Sequence, residues 1–152
     1  MTPMTTSSRF SAAERIASLK TAIAGGVTAG LLSFGLLLLH RFAGSEGLPL
    51  NFGGGLGTLT LLVNLGTSAL SGALFALTYR YAVRTDDNPQ LNAGVIAAFA
   101  LVRGVALVDA GSAIAQKGWP FVAACGENFV VFGLTALALN FGRQQGWLTP
   151  FK

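Results

Sequence analysis

Four stretches of apolar residues, at about 21–42, 56–81, 90–115 and 120–141, decide what this chain can fold into. A hydrocarbon core roughly 30 Å thick is crossed by about 20 helical residues. Inside it every backbone N–H and C=O must be bonded within its own segment, so the stretches are predicted as transmembrane α-helices. The connections between them are short, which makes sequence neighbours antiparallel. The expected fold is all-α: a polytopic membrane protein whose four-helix bundle occupies residues 19–143. It is flanked by a polar tail or surface helix over 1–18 and a polar tail over 144–152. The first apolar run is too long for a cleaved signal peptide. Only 11% of the residues are charged, against roughly 25% in soluble domains. The mean hydropathy of +0.60 agrees.

The net charge of +4 does not point to nucleic acid, because the basic residues stand singly at the ends of apolar runs and form no patch. Their distribution predicts orientation instead. Arg9, Arg15, Lys20, Arg80, Arg84, Arg143 and Lys152 fall on one side, and Arg41 and Lys117 on the other. By the positive-inside rule both ends of the chain face the cytoplasm or stroma, and dual topology is disfavoured.

The remaining basic residue, Arg103, sits within the third apolar stretch. A charge there costs a few kcal/mol or more unless it is paired or hydrated. Counting 1.5 Å per residue from the outer turn near Gln116 puts Arg103 level with Glu127 and Asn128 of the fourth stretch. Asn64 of the second stretch and Ser33 of the first come to a similar depth. Asp109 is nearer the surface and on another face, so Glu127 is the expected partner of Arg103. This buried polar layer of Asn64, Arg103, Glu127 and Asn128 reads either as an ion or proton site or as a latch that fixes helix packing. A third reading turns Arg103 toward a partner subunit or a lipid-derived ligand.

Small residues recur at helical spacing. Gly26 and Gly30 form a GxxxG pair, Ser68 and Gly72 another small pair, and Gly94, Gly104 and Gly111 lie along the third stretch. Such faces let helices approach closely in lipid. Tyr79, Arg80, Tyr81, Trp119 and Trp147 read as interfacial anchors. Asn88 is placed to cap the third helix, with Pro89 in its first turn. His40 closes the first stretch and reads as an interfacial residue. Cys125, the one cysteine, reads as a small buried residue.

One His and one Cys make a four-ligand zinc site within one chain improbable. Gly53-Gly54-Gly55 has no nearby Lys and reads as a hinge rather than a phosphate cradle. No nucleophile, base and orienting group stand in a recognisable set, so no enzyme is expected. No cofactor is expected either, although bound lipid or pigment is compatible with the sequence.

The segment Leu77-Thr78-Tyr79-Arg80-Tyr81-Ala82-Val83-Arg84, followed by Asn88-Pro89-Gln90-Leu91, Gly94 and Phe99-Ala100-Leu101-Val102-Arg103-Gly104, resembles a group of small integral membrane proteins of cyanobacteria and plastids with no assigned activity. The likeness covers about a third of the chain. It implies a photosynthetic host and a thylakoid or plasma-membrane location. Gly57-Thr58-Leu59-Thr60 with Val63-Asn64-Leu65-Gly66-Thr67-Ser68 is also similar to the second span of small four-helix fluoride channels. The spacing departs by about two residues, and the third stretch lacks their Phe-Ser-Thr-Phe-Ser-like box.

The small-residue faces exceed what one bundle needs. The leading expectation is therefore a non-enzymatic accessory, assembly or stabilising subunit of a larger, photosynthetic membrane complex, with lipid and other membrane subunits as partners. The rival is a small homo-oligomeric channel or transporter built on an Arg103–Glu127 layer.

Overall fold

The computed structural model describes residues 11–45, 58–84, 88–107 and 119–151. They form four α-helices: α1 Ala12–Ser45, α2 Thr58–Val83, α3 Pro89–Ala106 and α4 Trp119–Gln144. No strand occurs among them. All four are long and apolar enough to cross a membrane. Large apolar side chains point outward along every helix, among them Leu31, Leu70, Val102 and Leu137. With no water in a bilayer core, an apolar exterior is the soluble one, and the chain is an integral membrane protein.

The helix starts follow the sequence. The Asn88 side chain accepts a hydrogen bond from Gln90 N at 2.9 Å, and Pro89 occupies the first turn of α3. Hydroxyls inside the spans are satisfied locally: Thr21, Thr28, Thr78 and Thr135 each donate to the carbonyl four residues earlier. One boundary differs. Of the tail or surface helix expected over 1–18, residues 12–18 are helical and continuous with the first span as the opening turns of α1. The outer part of the third expected span, with Asp109 and Gly111, lies outside the described residues, as does the Trp119 side chain.

Each of α1 and α3 packs on α2 and α4, while α2 and α4 also meet across the centre. The α1–α2 crossing is close because it is built of small residues. A Cβ on Gly25 would stand 2.6 Å from the Gly72 carbonyl oxygen, and one on Gly72 would run into Ala29 Cβ. Gly26 and Gly30 face Ala69 across the same crossing. At the α3–α4 crossing, a Cβ on Gly104 would come within 2.8 Å of Cys125 Cα, and Cys125 is buried there. Gly94, expected to pack, instead lies exposed, and a Cβ added to it would meet no described atom within 4 Å.

An aromatic knot ties the other three helices together. Phe75 of α2, Phe99 of α3 and Phe132 of α4 place their ring centroids 5.1–5.8 Å apart. Tyr79 extends the knot, 5.5 Å from Phe75, and its hydroxyl is hydrogen-bonded with the Asn140 amide. Tyr79 is thus a core residue rather than an interfacial anchor.

Arg80 is also turned inward, only 4% exposed. It donates to Glu14 Oε2 at 2.6 Å, Ser18 Oγ at 2.8 Å and the Thr149 carbonyl at 3.0 Å. Glu14 and Ser18 are four apart, on one face of α1, which is why those turns stay helical against α2. Tyr81 does lie at the surface, with its hydroxyl 2.6 Å from Ser18 Oγ. Beyond α4 the chain reverses at Gly146, whose φ of +76° is the left-handed value that favours glycine. Gly146 N donates to Arg143 O, and Trp147 N to Gly142 O. The chain then returns over the bundle. Leu148 packs against the core, and the Phe151 ring sits 4.8 Å from Tyr81 and beneath Arg80 and Arg84. We call this the proximal end. Residues 144–151 close it and are not a free polar tail, although Trp147 is exposed as an anchor would be.

Candidate functional site in the membrane

The polar residues singled out in the sequence converge away from the proximal end. Arg103 lies 14 residues into α3 from Pro89, about 21 Å along the helix. Its guanidinium reaches α2 rather than α4. Nη1 donates to the Thr67 carbonyl at 3.0 Å and to Ser71 Oγ at 2.8 Å, and Nη2 to Ser68 Oγ at 2.5 Å. Ser71 in turn donates to the Thr67 carbonyl, and Ser68 Oγ is 3.4 Å from Asn64 Oδ1. Two of these acceptors are hydroxyls, because Thr67, Ser68 and Ser71 crowd one turn of α2. Ser68 therefore serves less as a packing residue than as an acceptor.

The expected Arg103–Glu127 pair is not formed. Glu127 Oε1 lies 2.9 Å from His40 Nε2 of α1. Depth counting fixed the level of each residue but not its direction around the helix. Arg103 and Glu127 share a level and look toward different neighbours. His40, read as interfacial, is instead half-buried and engaged with a carboxylate. Asn128 is buried and donates to the Ala124 carbonyl at 2.8 Å.

These groups nonetheless border one space. A cavity of about 80 Å³ is lined by Ser33 and His40 of α1, Asn64 of α2, Arg103 of α3, and Glu127 and Asn128 of α4. Every helix contributes a polar side chain, and there is room for several water molecules. Arg103 also borders a second space on its other side. Between α2 and α3 a cleft of about 440 Å³ is walled by Leu74, Phe99, Val102, Ala106, Leu107 and Phe132, with Thr67, Ser71 and Arg103 as its polar margin.

Among the described residues, the charges in this region are incompletely matched. Two ion pairs occur among the described residues, His40–Glu127 and Arg80–Glu14. Neither includes Arg103, whose guanidinium is bonded, among the described residues, only to neutral acceptors. No group of three or more metal-ligating side chains occurs among the described residues.

No family model, curated protein or solved structure matches the chain.

Proposed function

We propose that the protein is a small, non-enzymatic membrane channel or transporter that handles a proton or small ion through the polar cavity, acting as a homo-oligomer. The observation that carries this reading is the pairing of Glu127 with His40 rather than with Arg103. A carboxylate locked to arginine would favour a static latch, since arginine stays charged at all accessible pH values. A carboxylate hydrogen-bonded to an imidazole can pass a proton to and from it, because both groups can act as general acid and base. Room for water beside the pair supplies a route for the exchange.

The test is flux in liposomes carrying an internal pH dye. Wild-type protein is expected to relax an imposed proton gradient at least tenfold faster than empty liposomes. Glu127→Gln is expected to lose that activity with little change in melting temperature. Wild-type liposomes no leakier than empty ones would refute the reading. If Glu127→Gln instead lowers stability, and the wild type carries no flux, the cavity is a packing device.

A second reading, an accessory subunit of a larger membrane complex, is favoured by a different observation. Besides Gly94, a Cβ added to Gly35, Gly66, Gly126 or Gly133 would meet no described atom within 4 Å. Glycine is costly within a helix, and open glycine faces suit a further helix from another subunit. Gentle extraction followed by native electrophoresis separates the two readings. Co-migration with a large complex favours the subunit, and migration as a small homo-oligomer favours the channel. The resemblance of segments between Leu77 and Gly104 to cyanobacterial and plastid proteins supports a thylakoid or plasma membrane of a cyanobacterium as the location. The positive-inside bias supports a cytoplasmic or stromal proximal end.

A further inference from the structure

We infer that the cleft between α2 and α3 is a binding site for a long-chain carboxylate, with the acid group on Arg103 and the acyl chain against Leu74, Phe99, Val102 and Phe132.

Three observations combine. First, the cleft encloses about 440 Å³, within the ~300–1,000 Å³ typical of small-molecule sites. Second, its rim opens to the bilayer: Val102 is 72% exposed and Leu74 51%. A ligand dissolved in the membrane can enter sideways. Third, its polar margin carries the Arg103 charge. No carboxylate among the described residues lies within 4.0 Å of Arg103. Its hydrogen bonds to Thr67, Ser68 and Ser71 all run to neutral oxygens, which orient the guanidinium without neutralising it. A cation at this depth is costly unless it is paired or hydrated, and an anion in the cleft would pair it. Arginine is also the side chain best matched to a carboxylate.

Depth selects the class of anion. Thr67 lies six residues inside the apolar span that begins at Leu61, about 9 Å below its end. A phospholipid would have to drag a glycerol, a phosphate and a second chain to that level. A single acyl chain with a carboxylate needs only the cleft. Arg103 is shared with the proposed ion site, but Glu127 is not. Glu127→Gln is therefore expected to leave this binding intact, so the two readings fail separately.

The test is photolabelling of the full chain in phosphatidylcholine nanodiscs with palmitic acid carrying a mid-chain diazirine. Labels are expected on α2 and α3 around Leu74, Phe99 and Val102, and excess palmitate is expected to remove them. The methyl ester of the same probe is expected to label at least tenfold less, a comparison that needs no substitution. Arg103→Gln is expected to lose the labelling and Arg103→Lys to retain it. Val102→Trp, at an exposed position, fills the cleft without touching the charge and is also expected to abolish it. Equal labelling by acid and ester, labels spread evenly over four helices, or better displacement by phosphatidylglycerol than by palmitate would each overturn the proposal.

Discussion

Replacing Gly72 with alanine adds one methyl group at the tightest point of the bundle. Its Cβ would stand 2.6 Å from the Gly25 carbonyl oxygen and run into Ala29 Cβ. Neither obstacle has a rotamer to change, so ordinary contact at 3.4 Å returns only if the helices part by slightly more than 1 Å. Two terms oppose each other. Alanine favours the helix over glycine by about 1 kcal/mol. Overpacking a tight interior costs about 1–3 kcal/mol. Gly94→Ala isolates the first term, because nothing described lies within 4 Å of its added Cβ. Gly94→Ala is therefore expected to stabilise by up to about 1 kcal/mol. Gly72→Ala is expected to fall below it by about 1–3 kcal/mol, the overpacking cost alone. Cys125 is buried and free, so thermal release of its thiol to a reactive dye reports unfolding without a further label. Adding Gly25→Ala to Gly72→Ala is expected to cost less than the sum, since both methyls force the same separation. A Gly72→Ala protein as stable as Gly94→Ala would refute the close crossing.

Two further predictions concern the proximal end. Arg80→Leu removes one partner of a pair whose arginine is buried and whose glutamate is partly exposed. It is expected to cost about 3 kcal/mol, the low end for breaking a buried pair, and a thermal melt checks it. Adding Glu14→Leu is expected to recover part of that loss. Gly146→Ala places a Cβ at φ +76°. It is expected to destabilise by about 1–2 kcal/mol and to increase proteolysis between Gly146 and Phe151 relative to wild type.

The helices were legible because their cause is local. Length, apolarity and the Asn88–Pro89 start act within one segment, and the lipid removes the alternatives. What the sequence hid was direction around each helix. Arg103 and Glu127 were matched by depth, yet a residue at the right level can face any of several neighbours. The crowding of Thr67, Ser68 and Ser71 on one turn of α2 was the available signal for the true acceptors of Arg103. Tyr79 and Arg80 misled for another reason. An aromatic and a basic residue at the end of a span suit the headgroup region and a buried clamp equally well. Glu14 and Ser18, four residues apart, were the overlooked counterpart. The aromatic knot was hidden for the same reason, since Phe75, Phe99 and Phe132 meet only after three helices are oriented.

The proximal clamp also bears on how the chain is made. Thr149 follows Arg80 by 69 residues. A ribosome that has just released α2 has already delivered Glu14 and Ser18, but not the Thr149 carbonyl or the Phe151 ring. The hairpin of α1 and α2 can therefore form with its arginine held by Glu14 and Ser18 alone. Its remaining partners arrive only after α3 and α4 have been translated. The contacts thus become available in a fixed order: a nascent chain that ends before Gly142 contains the Arg80, Glu14 and Ser18 of the clamp but not its closure by residues 144–151.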